Sequence, residues 1–437
     1  MTATQAEVKI ARFTARLRPL NTTPQFRKST SLDEVRYEIR GELAQRAREL
    51  ERDGTAVARL NIGNPGIYGF ETPSHLRLAV SDNLKRSEAY CQEQGLLSAR
   101  EAIVAQQRAR GARHASVEAT FIGNGVSELI DMALRALLSD GDEVLLPAPD
   151  YPLWTASVIL NRGIAVHYAC SAQAGFLPDP AAIEAAITPR TRALVVINPN
   201  NPTGAVYPRA LLDELVEIAS RHNLVLLSDE IYDQIVYDDA LFVPLASRVS
   251  DTLCLSFGGL SKVHRACGYR VGWVSMSGAV ERAGDYQHGL TQLAALRLCS
   301  NVPAQWAIAP ALEGPDTIGA LVAAGGRLDN SRRAVQQAID RSEFLSAAPS
   351  AGALYAFPGV DRSRLPHFDD HAFALSLLEN EHLLLVPGSS FNVPYRNHFR
   401  VTFLPQAAEL SEYFARIERE LVRTAARADA AREPLTA

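Results

Sequence analysis

Four short polar segments of this sequence hold residue types able to do chemistry. Pro147-Ala148-Pro149-Asp150-Tyr151-Pro152 offers a carboxyl and a phenol, and Asn198-Pro199-Asn200-Asn201-Pro202-Thr203-Gly204 offers amides and a hydroxyl. Asp229-Glu230-Ile231-Tyr232 adds carboxyls and a second phenol, and Gly258-Gly259-Leu260-Ser261-Lys262 ends on a primary amine. Taken singly, each has a plain structural explanation. Asn-Pro-Thr-Gly is turn chemistry, an Asp after a strand commonly caps a helix, a lysine is ordinarily a solvated charge, and Tyr151 can simply pack. Together they carry more, because each directly follows a short apolar run, at 143–147, 193–197, 224–228 and 252–256. In open parallel sheets, ligands sit beyond the carboxyl ends of the strands. Four such segments in order therefore point to one polar site.

The elements that must position them follow from hydrophobic spacing. The four runs, with a fifth at 271–275, read as strands buried on both faces. Leu211, Leu212, Leu215, Val216 and Ala219 recur between two of them at helical spacing, with Asp213, Glu214 and Glu217 on the opposite side. Strand, helix, strand in this order predicts the α/β class, with a mostly parallel sheet sandwiched by helices. The C-terminal third differs. Isolated strands at 352–357 and 399–403 lie among helices, and Leu410, Tyr413, Phe414, Ile417 and Leu421 form a stripe on a late helix. This predicts a smaller α+β domain at 312–424, after a large domain at 75–311. Residues 31–74 are expected to join the small domain and lid the substrate site, 1–30 to form a basic arm, and 425–437 to be a frayed tail.

Bulk properties narrow the function classes. A chain of 437 residues with 47% hydrophobic and 21% charged residues is ordinary for a globular protein. A formal net charge of -5 and the lack of a basic domain argue against nucleic acid as a partner. The longest apolar runs are far too short to span a bilayer. Cys91, Cys170, Cys254, Cys267 and Cys299 are widely spaced and contain no Cys-x-x-Cys pair, so neither a disulfide framework nor a metal site is expected. Six Lys or Arg against the single acid Glu7 mark the first thirty residues. This is the pattern of a mobile arm or of an organelle transit segment. The cytoplasm is the expected location.

With the motifs in place, the sequence resembles the class I/II aminotransferases, the fold type I pyridoxal-phosphate enzymes. The resemblance runs from about residue 37 to residue 400. It rests on Asn201-Pro202-Thr203-Gly204, then Asp229-Glu230-Ile231-Tyr232, then Ser261-Lys262 with Arg270 eight residues on, then Arg400 in His398-Phe399-Arg400-Val401. Tyr37-Glu38-Ile39-Arg40-Gly41, Asn61-Ile62-Gly63-Asn64-Pro65, Gly123-Asn124-Gly125-Val126-Ser127-Glu128-Leu129 and Leu298-Cys299-Ser300-Asn301-Val302-Pro303-Ala304-Gln305 are similar to bacterial alanine aminotransferases.

The resemblance implies transamination between an L-amino acid and a 2-oxo acid, with alanine and pyruvate, and glutamate and 2-oxoglutarate, as the substrates. Lys262 would carry pyridoxal 5′-phosphate as a Schiff base and then serve as the general acid-base. Asp229 would face the ring nitrogen, Tyr232 and Asn201 the phenolic oxygen, and Tyr151 the ring face. Gly125, Val126 and Ser127, at a helix N-terminus, would hold the phosphate with Ser261 and Arg270. Tyr90 resembles a tyrosine that reaches the neighbouring subunit's phosphate, which implies a homodimer with shared sites. Arg400 would bind the substrate's α-carboxylate, helped by backbone near Gly63 and by Asn201. Tyr37 and Arg40 resemble a mobile segment that closes over small substrates, with Arg40 facing a side-chain carboxylate.

Two positions depart from the pattern. Many relatives carry Ser or Thr three residues before the lysine, where this chain has Gly259. His264 stands where an aromatic is expected, and it could titrate at working pH or simply pack. Other biosynthetic fold type I enzymes, performing a different transamination, elimination, cyclisation or oxidation, keep the same Lys, Asp and Arg and form the alternative. Gly123-Asn124-Gly125 lacks the third glycine of a dinucleotide fingerprint, and the arm is too short for a DNA-binding module.

Overall fold

The computed structural model describes residues 26–35 and 41–430. Its largest sheet has seven strands: β1 (Thr120–Gly123), β2 (Glu143–Ala148), β3 (Ile164–Ala169), β4 (Thr191–Ile197), β5 (Val225–Asp229), β6 (Leu253–Gly259) and β7 (Gly272–Gly278). They lie in the order β1-β7-β6-β5-β4-β2-β3. All run parallel except β7, which is antiparallel to both β1 and β6. The α/β class and mostly parallel sheet inferred from the apolar runs are the observed ones. β1 and β3 were not foreseen, for different reasons. β1 is only four residues long and runs straight into a glycine turn. β3 is an edge strand with largely accessible side chains, so it lacks the continuous apolar run of a buried strand.

Helices cover both faces. Val126–Leu137 packs Leu129, Ile130, Met132 and Leu134 with Trp154, Phe257 and the inward residues of β2, β4 and β6. Arg209–Arg221 turns Leu212, Leu215 and Ile218 onto the other face, with Leu145, Leu194 and Leu226. The predicted amphipathic stripe of that helix is its buried side.

A second core lies apart from the sheet. It joins Leu43, Ala47 and Leu60 from the N-terminal segment to Val335, Phe373, Leu377, Phe399, Leu410, Phe414 and Leu421. Ala58–Arg59 pairs in parallel with Leu383–Leu384, so the early segment is stitched into this later unit. Phe399–Thr402 is the middle strand of three, antiparallel to both Tyr355–Ala356 and Val386–Pro387. The final helix, Ala407–Ala430, carries its stripe inward and continues into the stretch read as a frayed tail. Among the described residues no helix is long and apolar enough to cross a membrane.

His398 is built into the seam between the two cores. Its ring stacks on Phe357 at 5.2 Å, a side chain on Gly359 would run into that ring, and one on Gly388 would run into the His398 backbone. Burial lowers its pKa to about 4. His264, 7% exposed, is likewise brought to about 4 by burial and by the neighbouring positive charges of Arg265, His75 and Arg110. Both are therefore neutral in the fold, while in the unfolded chain they take up protons near pH 6.5. Stability contributed by the neutral form is complete above about pH 6.5 and is lost as pH falls towards about 4, on the order of 3 kcal/mol for each ring. Urea midpoints at pH 7 and pH 5 test this. His398→Phe should lose less stability over that interval than the parent, and an identical pH slope would contradict it.

Candidate active site

A cleft of about 670 Å³ opens where the carboxyl ends of the parallel strands face the second unit. Asp229 closes β5, Lys262 comes three residues after the end of β6, Asn201 four after β4, and Tyr151 three after β2. All four line the cleft, with Gly63, Val126, Ser127, Tyr232, Ser261, Arg270 and Arg400. Gly125 precedes helix Val126–Leu137 and is not itself among the lining residues.

Lys262 Nζ donates to the Gly63 carbonyl at 2.6 Å. Asp229 is 3% exposed, and its carboxylate accepts from the Trp154 indole N–H at 3.1 Å and from the Ile231 amide at 3.3 Å. Burial raises its pKa, and those two donors with the Lys262 charge only partly oppose the rise. A buried carboxylate of this kind is stabilised by a positively charged group beside it.

Arg400 is 2% exposed. Its Nη1 donates to Asn201 Oδ1 at 2.8 Å and its Nη2 to the Asn61 carbonyl at 2.5 Å, while the guanidinium lies over the Tyr355 ring at 4.3 Å. Its Nε has no partner among the described residues. Arg270 is more exposed and spends its N–H groups on the carbonyls of Cys267 and Asn124, at 3.0 and 3.3 Å. Lys262, Arg270 and Arg400 thus line one cleft, and among the described residues none forms an ion pair with a carboxylate. The arrangement suits a ligand with at least two anionic groups, one at Arg400 and one at Arg270.

The Arg270 end is also shaped by glycine. Gly125 has φ +87°, and a Cβ there would collide with the Arg270 guanidinium. The backbone before helix Val126–Leu137 thereby comes close to that cation, and its first N–H groups face an anion position.

Asn-Pro-Thr-Gly divides between its two readings. Asn200 Oδ1 accepts from the Thr203 amide and hydroxyl, so the neighbouring residues build the turn, and Asn201 alone faces the cleft. Tyr90 does not line this chain's own cleft; it is 77% exposed. Tyr37 and Arg40 lie outside the described residues. His264 is buried beside a separate groove shared with Arg110 and Asp316 and does not line the cleft.

Sequence reasoning passed over Tyr355, Asn61, Trp154 and Cys267. Trp154 sits three residues after Tyr151, at helical spacing, which is a usable signal. Tyr355 had only its place in a short apolar strand.

The departure at Gly259 has a steric cause. Gly259 pairs with Gly272 across β6 and β7, and a Cβ on it would lie 2.9 Å from the Val271 carbonyl and 3.1 Å from Gly272 Cα. The Val271–Gly272 backbone, with the Ile231 side chain at 3.3 Å, leaves little room for Ser or Thr. Gly259→Ser should therefore destabilise the protein by about 1–3 kcal/mol, seen as a lower urea midpoint at unchanged slope. A variant as stable as the parent would remove this explanation.

Comparison with known proteins gives a consistent result. The family model for aminotransferase class I and II matches residues 57–417. The glutamate-pyruvate aminotransferase of Escherichia coli is 47% identical over 394 residues, covering 90% of this chain and 97% of that protein. The alanine aminotransferase of Mycobacterium tuberculosis is 46% identical over 398 residues, covering 91% and 93%. Among solved structures, an Escherichia coli aminotransferase superimposes with a TM-score of 0.89 at 46% identity, covering 91% of this chain and 99% of that one. The alanine aminotransferase of Pyrococcus furiosus gives 0.86 at 34% identity, covering 91% and 100%.

Proposed function

Because the chain belongs to the class I and II aminotransferases, we propose that it moves an amino group between alanine and pyruvate, paired with glutamate and 2-oxoglutarate, using pyridoxal 5′-phosphate held on Lys262. The observation that carries this reading is the cleft itself, where an amine, a buried carboxylate and two guanidinium groups converge without internal ion pairs. Relatives named for alanine and for glutamate-pyruvate transfer support the choice of substrates.

The residues present fit the cofactor. Asp229 is a buried carboxylate in need of a cation, which a protonated pyridine nitrogen supplies. Arg270, Ser127, Ser261 and the backbone at Gly125 and Val126 form an anion cradle for the phosphate. Tyr151 would cover the ring, and Tyr232 and Asn201 would hold its phenolic oxygen; all three line the cleft. When bound, the cofactor supplies an electron sink for the pair released at the substrate's Cα.

The chain's own residues do the rest. Lys262 Nζ is the covalent anchor and, once freed by the incoming amino group, takes the Cα proton as a general base. Arg400 grips the α-carboxylate, with Asn201 and the Asn61 carbonyl fixing the guanidinium. The substrate-contacting roles of Tyr37 and Arg40 rest on the resemblance alone. Tyr90 reaches from one subunit to the phosphate of the next, which makes the working unit a homodimer. The cytoplasm is the location this reading expects.

An absorbance spectrum of the protein supplied with pyridoxal phosphate tests the reading. A visible band should fade on adding L-alanine and return with pyruvate, and Lys262→Ala should lack it. No such band in the parent would overturn the proposal, and a band unmoved by alanine or glutamate would remove the substrate assignment. Arg400→Gln should lower kcat/KM for alanine and glutamate alike, by about a hundredfold or more. Loss for only one substrate would place the α-carboxylate elsewhere.

A further inference from the structure

Tyr355 touches both ends of the cleft, its hydroxyl beside Tyr232 and Gly63 and its ring beneath Arg400. It lies in the short strand Tyr355–Ala356, where it pairs with Thr402. Arg400 is two residues along that partner strand, so the two side chains share a face of the sheet as diagonal neighbours. This register brings the guanidinium over the ring, at 4.3 Å from its centroid.

The hydroxyl points the other way. It lies 3.0 Å from the Tyr232 hydroxyl, with the two rings edge to face at 5.9 Å. It also presses on Gly63 so closely that a Cβ there would collide with it, and the Gly63 carbonyl is the acceptor of Lys262 Nζ. Burial alone would raise the pKa of this phenol, but the Lys262 and Arg400 charges and the hydrogen bond with Tyr232 together outweigh burial and bring it below its ordinary value. The Tyr232 phenol moves the opposite way, raised by burial and by Tyr355. Of the pair, Tyr355 is therefore the stronger acid, and the two hydroxyls share one hydrogen bond in which either can be the donor.

We propose that Tyr355 is a positioning residue with two separable duties: its hydroxyl orients and polarises Tyr232 beside Lys262, and its ring seats Arg400 for the substrate carboxylate. This rests on the cofactor reading above. With Tyr355 as the donor, Tyr232 accepts its hydrogen bond and would donate its own O–H to the cofactor's phenolic oxygen, so the protonation of the bound cofactor would depend on a residue that need not touch it. The ring acts on a different quantity, the affinity of the carboxylate site.

Two substitutions separate the duties. Tyr355→Phe keeps the ring and removes the hydroxyl. It should raise the pH midpoint of the bound cofactor's visible absorbance by about half a unit or more, with KM for L-alanine within about threefold of the parent. Tyr355→Leu should show the same midpoint change together with a KM raised about tenfold. A third measurement needs no cofactor: ultraviolet titration of the protein alone should show one tyrosine ionising below about pH 10, absent from Tyr355→Phe. If the parent binds pyridoxal phosphate but Tyr355→Phe has the parent's midpoint and ultraviolet titration, the hydroxyl's duty is refuted. If Tyr355→Leu keeps the parent's KM, the ring's duty is refuted. A parent that binds no cofactor refutes the functional reading, and the ultraviolet titration then still decides whether Tyr355 is the stronger acid.

Discussion

A guanidinium taken out of water is costly unless charge and hydrogen bonds replace what it has lost, and the cleft is organised around that constraint at Arg400. The side chain is held from three directions by three stretches of chain. Asn201 comes from the turn after β4, the Asn61 carbonyl from the N-terminal segment, and the Tyr355 and Phe391 rings from the later unit. None of these regions makes the pocket alone. The parallel pairing of Ala58–Arg59 with Leu383–Leu384 and the central place of Phe399–Thr402 in its sheet hold Arg400 in front of the large sheet. The domain architecture is, in this sense, the support for one cation.

The opposite end of the cleft depends on close backbone approach. A Cβ on Gly272 would lie 2.7 Å from the Val126 amide nitrogen and 3.0 Å from the Gly125 carbonyl carbon, and Gly259 faces Gly272 across the strands. Three glycines therefore let β6, β7 and the start of helix Val126–Leu137 stack in direct contact. That contact brings the loop holding Ser261 and Lys262 next to a helix N-terminus and next to Arg270. The missing hydroxyl at Gly259 is the cost of this packing, and the backbone N–H groups and Ser127 remain on hand at the same place. A local motif difference is thus a consequence of how tightly two strands and a helix meet.

These two ends were not equally legible in the sequence. Asp229, Lys262, Asn201 and Tyr151 could be found because each follows an apolar run within a few residues, so its position is fixed by the strand before it. Arg400 and Gly125 needed the resemblance to be given a role. Tyr355 escaped because its position depends on a register, Tyr355 against Thr402, set by long-range pairing in a unit with short strands. The same physics hid β3, whose accessible edge position removes the apolar signal, and it left His264 undecided. Which side of the Lys262 loop that imidazole faces is a matter of tertiary packing, and it faces Arg110 and Asp316. Features fixed by neighbours in sequence were readable, and features fixed by neighbours in space were not.

The buried arginines show why the cleft differs in kind from the core. Arg100 is as deeply buried as Arg400 and likewise lacks a carboxylate partner among the described residues. Its three nitrogens are all engaged, however, by the carbonyls of Gly95 and Val117 and the side-chain oxygens of Gln94 and Gln92. Arg332 is also buried, and Asp329 and Asp238 supply its counter-charge. These are two ways for a fold to hold a buried cation, by saturating its hydrogen bonds or by neutralising it. Arg400 has neither in full: two contacts to neutral oxygens, an Nε without a partner, and a face turned to a cleft shared with Lys262 and Arg270. A structural arginine has its charge neutralised or its donors engaged within the protein, even where an Nε stays unpartnered as at Arg332. One that is buried, incompletely satisfied and open to a cavity is completed by what the cavity binds, and at Arg400 the matching shape is a planar carboxylate.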